Sequence, residues 1–124
     1  MRVVTVTNTT RGIVVGDQIK VADTSLSRMF GLLGKHALNA GEGLWITPSS
    51  GVHTLGMRFS IDVIGLNKDS RVVKLWPRLV PFRITSISLK IRSVIELGPG
   101  TIETCQVNIG DLLKISNPFD TRNR

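Results

Sequence analysis

The chain has 124 residues, of which 41% are hydrophobic, enough for one globular domain with a single core but not for two. Its formal net charge is +7, and it has no apolar run long enough for a membrane-spanning helix. Cys105 is the single cysteine, which excludes an internal disulfide and a Cys-rich structural zinc site. We expect one domain over residues 1–116, a frayed tail over 117–124 and, without a signal-like start, a cytoplasmic location.

The N-terminal segment predicts a β-hairpin. The first strand, "RVVTVT", alternates apolar and polar residues, "TTRG" turns the chain, and "IVV" begins the second strand. Gly16 and Asp17 are then expected to form a tight turn into "QIKVA", because this dipeptide is typical of turns.

A helix is predicted over residues 25–33. Asp23 or Thr24 can cap its first turn, since short polar side chains accept hydrogen bonds from the free backbone amides there. The spacing of the following apolar residues is helical and predicts a stripe packed on the core. The stripe consists of Leu26, Met29, Phe30 and Leu33.

The middle of the chain reads as strands. "LWITP" predicts a buried strand that ends at Pro48, and residues 52–66 predict a strand that is broken near Gly56. "NKDS" then turns the chain into "RVVKLW", giving a hairpin with Lys68 and Asp69 at its tip.

The C-terminal part predicts a loop, further strands and one helical turn. Pro77 and Pro81 are expected to bracket the loop, and "RITSISLKIRSVIEL" to form one or two strands. "TIETCQV" predicts a helical turn near residues 101–106 with Thr101 as its cap. "NIGDLLKIS" predicts a turn followed by a strand. The chain is therefore expected to be mostly β.

Polar residues interrupt the apolar stretch "SSGVHTLGMRFSIDVIGL". In a regular strand Arg58 and Asp62 lie on one face and His53 on the other, unless a bulge at Gly56 changes the register. Because buried unpaired charges are costly, mutual ion pairing is favoured over a ligand site. The candidates for such pairing are Arg28, Arg58, Asp62 and Glu96.

Catalytic and metal sites receive little support from the sequence. A hydrolase would need a serine at position 49 or 50 as nucleophile, His53 as base and Asp62 as its orienting partner, but no G-x-S-x-G motif is present. A metal site would have to draw on His36, His53 and carboxylates, which requires the fold to bring them together, and we predict none. No basic residue lies near Cys105 in sequence, so we expect an unreactive thiol.

Positive charge is concentrated in residues 68–92, where Asp69 is the single acidic residue. Such a segment suits an acidic partner or a phosphate backbone, although a solvated surface is the simpler interpretation. Aromatic residues make up 5% of the chain and tyrosine is absent, which disfavours nucleic-acid binding because bases have few rings on which to stack. The basic residues are Lys68, Arg71, Lys74, Arg78, Arg83, Lys90 and Arg92.

The order and spacing of several short segments resemble the domain of unknown function 192 (DUF192) family of small bacterial and archaeal proteins. The segments are "ADTSLSRMFGLLG", "GEGLWI", "VHTLGMRFSIDVIGLNKDSRVV", "VIELGPGT" and "NIGDLLKI", which together span about residues 20–116. Ser60 and Ser70 depart from the residues usual in the family, Pro and Gly. The matching positions are Arg28, Gly31, Leu32, His53, Thr54, Ile61, Asp62, Ile95, Glu96, Leu97, Gly110 and Asp111.

The resemblance implies an α+β fold in which largely antiparallel strands form a small barrel-like sheet against one helix, and it implies no activity. We expect a non-enzymatic binding or accessory module without a cofactor, with an acidic protein or anionic small molecule as partner. The alternatives are a small-molecule hydrolase that uses His53 and Asp62, and a nucleic-acid-binding protein. The ligand-binding candidates are His53, Thr54, Arg58 and Asp62, and the structural polar candidates are Arg28, Glu96 and Asp111.

Overall fold

The computed structural model describes residues 2–24, 37–50, 59–81 and 88–117. These residues form one sheet with the strand order β5-β4-β6-β3-β2-β1-β7 and one helical turn. The predicted helix at 25–33 and the predicted strand over 52–58 lie outside them. The elements are β1 (Val3–Asn8), β2 (Ile13–Ala22), β3 (Glu42–Ile46), β4 (Ile61–Leu66), β5 (Val72–Leu79), β6 (Ser93–Leu97), α1 (Thr101–Thr104) and β7 (Leu113–Ser116).

The sheet curls into a half-barrel because its two edge strands approach each other at one end. Arg71, just before β5, forms an antiparallel bridge with Leu112, just before β7. The Val72 amide donates to the Asp111 carbonyl at 2.9 Å, and the Gly110 amide donates to the Val72 carbonyl at 2.7 Å. A mostly β, barrel-like fold was expected and is confirmed, whereas "α+β" overstates the four-residue helix of the described residues.

The expectation of antiparallel strands holds for every neighbouring pair except β2 and β3, which are parallel. A parallel pair requires a crossover connection, and the chain between Ala22 and Glu42 provides it.

The core covers both faces of the central strands, since every residue of β4 and β6 is buried. Runs of Val, Ile and Leu are typical of strands that are buried on both sides. On one face the side chains pack into a cluster that includes Ile19, Ile64, Ile95, Leu97 and Ile102, the last of which lies in the helical turn. The opposite face belongs to a second cluster that includes Leu44, Ile46, Ile61, Val63 and Val94.

The predicted turn at Gly16 and Asp17 is wrong, because both residues lie inside β2. The register with β1 shifts at this point, so that β2 carries extra residues and forms bulges instead of turning. A Cβ atom at Gly16 would lie 2.6 Å from Cδ1 of Ile19 and 2.8 Å from the Gly41 carbonyl oxygen. Glycine is therefore needed here for close packing.

Two further expectations are corrected. Pro77 lies within β5 instead of opening a loop, and the edge position of β5 explains why a residue without an N–H is accepted there. The helical turn is confirmed at α1. Its N-cap, however, is Gly100, which has no side chain that could bond to the turn. The Thr101 hydroxyl instead donates to the Gly98 carbonyl at 2.7 Å.

The remaining turn predictions agree with the structure. The hairpin between β1 and β2 forms, as does the hairpin with Lys68 and Asp69 between β4 and β5. The second Gly-Asp dipeptide, Gly110 and Asp111, lies in the turn that leads into β7.

Candidate functional site

Asp62 connects three separate parts of the chain through its carboxylate. The side chain is completely buried on β4. Its Oδ1 accepts the backbone N–H of Arg78 at 2.8 Å, and its Oδ2 accepts those of Gly100 at 3.1 Å and Ile102 at 2.9 Å. Hydrogen bonds to an ionised acceptor are strong, and two of them satisfy free amides at the start of α1. Asp62 thus fixes the end of β5 to the beginning of the helical turn.

Arg78 has an uncommon backbone conformation at the end of β5. Its φ is 51°, in the left-handed region that residues other than glycine rarely adopt. The bond from its amide to Asp62 holds the backbone there, while the side chain remains exposed. Its Nη2 lies 3.3 Å from the position that a Cβ atom on Gly100 would occupy. The guanidinium group therefore packs across Gly100, whose own φ is 91°.

A groove of about 820 Å³ opens beside these residues. Its walls come from the start of β2, the loop before β3 and the segment that contains α1. The last two walls adjoin, since a Cβ atom on Gly98 would lie 2.8 Å from the Leu38 carbonyl oxygen. The polar and charged side chains that line the groove are Asp17, Asn39, Arg78, Thr101, Glu103, Thr104 and Cys105.

Asp17, like Arg78, lies against a glycine of the groove. A Cβ atom on Gly41 would lie 2.8 Å from Oδ1 of Asp17, so the carboxylate packs against that glycine. Gly41 also has a positive φ, 85°. Two charged groups of opposite sign thus lie against two glycines whose backbone conformation other residues rarely adopt.

Cys105 lies at the edge of the groove as a protonated thiol. Its Sγ is 3.7 Å from the Val14 carbonyl oxygen and 4.0 Å from that of Val15. Burial raises the pKa of the thiol, which keeps it neutral at physiological pH. Because the thiolate is the reactive form, this geometry favours an unreactive cysteine.

Comparison with known proteins identifies the family. The model of DUF192, described as "Uncharacterized ACR", matches residues 4–115. The chain belongs to the DUF192 family. The resemblance predicted from the sequence motifs is therefore confirmed. No curated protein matches the chain significantly.

Two solved structures are similar to this DUF192 chain. A protein of unknown function from Novosphingobium aromaticivorans DSM 12444 has 24% sequence identity and a TM-score of 0.76, and the match covers 90% of this chain and 82% of that one. A "putative transcription regulator" from Sinorhizobium meliloti 1021 has 20% identity and a TM-score of 0.76, with coverage of 90% and 91%. At these identities the likeness shows the shared fold.

The DUF192 motif residues divide into those that the structure describes and those that it does not. Asp62 lies directly behind the groove, bonded to both Arg78 and Gly100. The other predicted ligand-binding residues, His53, Thr54 and Arg58, lie outside the described residues, as do Arg28, His36 and Arg83.

The described basic residues of segment 68–92 are located at different places. Arg78 lines the groove, whereas Lys74 and Lys90 border a separate recess of about 250 Å³. Nζ of Lys74 is 6.0 Å from the centroid of the Trp76 ring in that recess. Nη1 of Arg71 donates to the Gly110 carbonyl at 3.0 Å, while Lys68 and Arg92 are exposed.

The two other acidic residues of the motif are buried in contrasting surroundings. Oδ2 of Asp111 accepts bonds from Nδ2 of Asn8 at 2.8 Å, the Asn108 amide at 3.0 Å and Nε of Arg11 at 3.3 Å. Burial raises the pKa of Asp111, but these donors together lower it below its usual value. Burial raises the pKa of Glu96 to about 8. Asp111 thus stabilises the turn before β7 as a carboxylate.

The described residues also bear on metal binding and on membrane spans. Within residues 2–24, 37–50, 59–81 and 88–117, no group of three or more His, Cys, Asp or Glu side chains is arranged to hold a metal ion. In the same part of the chain, no helix has the length and apolar character needed to cross a membrane.

Sequence reasoning selected Asp62 but missed the groove that it builds. Arg78 was seen as one member of a basic segment, and Asp17 as part of a turn. Neither the left-handed backbone of Arg78 nor its contact with Gly100 has a local sequence signal. Both features depend on Asp62. Its carboxylate binds the amides of Arg78 and Gly100, which lie 16 and 38 residues away along the chain.

Proposed function

We propose that this DUF192 protein is a small binding module whose groove receives a ligand with an anionic group, and that Arg78 anchors this group. The observation that carries the proposal is the left-handed backbone of Arg78, held by the buried Asp62, which directs the guanidinium over Gly100 into the groove. Unfavourable backbone conformations cost about 1–3 kcal/mol and are concentrated at functional sites.

The chemistry of Arg78 fits an anion. A guanidinium group presents donors in a planar fork that matches the two oxygens of a carboxylate or phosphate. Among the described residues, no acidic side chain forms an ion pair with Arg78. The groove volume of about 820 Å³ is within the range typical of small-molecule sites, roughly 300–1,000 Å³.

The charges of the groove favour a small ligand over a nucleic acid. Asp17 and Glu103 line the same groove as Arg78, and their carboxylates repel an extended polyanion. Of the described basic residues of segment 68–92, Lys74 and Lys90 border a recess separate from the groove that Arg78 lines. An anionic small molecule or a single acidic group of a protein partner is therefore the preferred class.

A binding role is also favoured over a catalytic one. Both oxygens of Asp62 already accept backbone amides, so its carboxylate positions the chain. The Cys105 thiol, whose pKa burial raises, is a poor nucleophile. The hydrolase that would combine His53 with Asp62 stays a prediction from the sequence, as does a contribution of His53, Thr54 and Arg58 to the ligand site.

NMR titration of the ¹⁵N-labelled protein with hexanoate and with inorganic phosphate tests the proposal. We expect saturable shifts of the Gly41, Gly98 and Gly100 amides with at least one of the two anions. Arg78→Gly should abolish these shifts without loss of folding, since glycine accepts the left-handed conformation.

Lys74→Ala serves as the matched control, because it removes a basic residue that lies in a different recess. It should bind the anion as the wild type does. The proposal is wrong if neither anion produces saturable shifts at the groove, or if Arg78→Gly binds as tightly as the wild type.

A further inference from the structure

The groove presents opposite charges on two sides, one at the segment that contains α1 and the other where β2 meets the loop before β3. Arg78 packs across Gly100 on the wall that includes α1, and Asp17 of β2 packs against Gly41 in the loop before β3. Glu103 adds a second carboxylate at the groove. These three are the charged residues among the described lining residues.

The opposite charges do not neutralise each other. The ion pair found among the described residues joins Arg11 to Asp111, neither of which lines the groove, and no pair joins Arg78 to Asp17 or Glu103. A cation and carboxylates that face one recess without pairing create an electric field across it. Such a field favours a ligand whose own charges are arranged in the opposite order.

The backbone that carries each charge is held by hydrogen bonds. The Arg78 amide is bound by the buried Asp62, and its side chain crosses a glycine with φ of 91°. Asp17 lies in a bulged part of β2, and the Gln18 amide next to it donates to the Gly41 carbonyl at 2.9 Å. Both walls are therefore preorganised, which reduces the entropy lost when a ligand binds.

The walls are also close enough to serve one ligand. The Leu38 carbonyl oxygen would lie 2.8 Å from a Cβ on Gly98, so the two segments touch at this point. Gly41 and Gly100 follow these contact residues by three and two positions along the chain. The remaining lining between them includes Thr101 and Thr104, whose hydroxyl groups suit polar atoms of a ligand.

We infer that the groove binds a small dipolar ligand of the amino acid class, with its carboxylate on Arg78 and its ammonium group on Asp17. This inference rests on the proposed function and extends it, since an anion alone would satisfy only one wall. Glu103 strengthens the preference for an ammonium group and disfavours a ligand with two anionic ends.

A series of ligands that differ in their charged end groups and in the distance between them tests the inference. Glycine, 4-aminobutyrate and 6-aminohexanoate place the two charges at increasing separation, hexanoate lacks the ammonium group, and hexylamine lacks the carboxylate. We expect at least one dipolar ligand to bind about tenfold or more tightly than hexanoate in NMR titrations, a difference of about 1.4 kcal/mol. Hexylamine should bind more weakly than that dipolar ligand.

Two variants test which side chain binds the ammonium group of the ligand and which binds its carboxylate. Asp17→Asn should reduce the affinity for the dipolar ligand to that for hexanoate and leave hexanoate binding unchanged, whereas Arg78→Gly should weaken both. Lys20→Ala removes an exposed charge of β2 that does not line the groove, and it should change neither affinity.

The outcomes separate the inference from the proposed function. If hexanoate binds as tightly as every dipolar ligand, or if Asp17→Asn retains the preference, the dipolar inference is wrong while the anion-binding groove remains. If neither hexanoate nor phosphate binds at the groove, the proposed function and the inference that rests on it are both wrong.

Discussion

Asp62 and Glu96 are buried acids on neighbouring strands, but their surroundings differ. Asp62 is paired in register with Leu97, and Glu96 with Val63, so the two carboxyl groups project from opposite faces of the sheet. Asp62 accepts three backbone N–H groups, which stabilise the carboxylate. At Glu96 burial dominates and raises the pKa to about 8. Asp62 therefore joins separate segments of the chain through its hydrogen bonds, whereas Glu96 is the buried acid whose protonation should make stability depend on pH.

The largest effect is expected for Asp62→Ala. This change leaves the amides of Arg78, Gly100 and Ile102 without their acceptor, and each buried amide without a partner costs about 1–3 kcal/mol. We therefore expect the free energy of unfolding, measured with urea at pH 7, to fall by about 3 kcal/mol or more. Asp17→Asn, an exposed control, should change it by less than about 0.5 kcal/mol. Equal effects of the two variants would contradict the role of Asp62.

Glu96→Gln should change the pH dependence of stability. Because the pKa of Glu96 is raised from 4.5 to about 8 on folding, the folded state holds its proton at pH values where the unfolded state has released it. Wild-type stability should therefore decrease as pH rises between 4.5 and 8, by up to about 1.4 kcal/mol per pH unit from this group.

The variant cannot release this proton, so its stability should decrease less. The free energy of unfolding of the variant minus that of the wild type should increase by about 2 kcal/mol when the pH is raised from 6 to 7.5, as measured by urea unfolding at both values. Parallel pH profiles of the wild type and the variant would show that Glu96 is not held protonated.

Asp111→Asn should give the opposite sign with pH. The donors around Asp111 lower its pKa below 3.8, so the carboxylate stabilises the fold at neutral pH. Loss of this acceptor for Asn8, Asn108 and Arg11 should cost about 1.5 kcal/mol at pH 7. The difference from the wild type should shrink as pH falls below 3.8 towards the lowered pKa of the folded state, because the unfolded chain then binds protons that the folded carboxylate does not. A difference that stays constant between pH 7 and pH 3 would contradict this role.

Arg78→Gly should have the smallest effect on stability. Glycine adopts a positive φ without the steric cost that Arg78 bears, while Asp62 keeps its bond to the same backbone amide. We expect the melting temperature to stay equal or rise slightly, which corresponds to less than about 1 kcal/mol. A clear loss of stability would show that the guanidinium is part of the architecture and not a free ligand-binding group.

The sequence allowed much of the fold to be predicted but failed where distant contacts decide the local structure. The two Gly-Asp dipeptides show this. Gly110 and Asp111 form the expected turn, supported by the positive φ of Gly110 and the bond from the Asn108 amide to Asp111. Gly16 and Asp17 lie in a bulged strand instead, because β2 pairs there with β1 and packs against the loop before β3.

The candidate site was predictable in part for the same reason. A carboxylate inside an apolar strand marks Asp62 as unusual, and the sequence shows it directly. Its three donors come from Arg78, Gly100 and Ile102, which no local pattern connects to it. Thr101 was the expected cap because capping by a neighbouring side chain is common, whereas here the acceptor for the first turn comes from β4.

The central claim is that Asp62 fixes the end of β5 and the start of α1, and thereby builds the groove. Amide hydrogen exchange measured by NMR tests this most directly. Strong protection of the Arg78, Gly100 and Ile102 amides is expected in the wild type, with that protection lost at all three in Asp62→Ala, which has no side-chain acceptor, before the remaining sheet amides are affected. Fast exchange of these amides in the wild type, or unchanged protection in the variant, would contradict the claim.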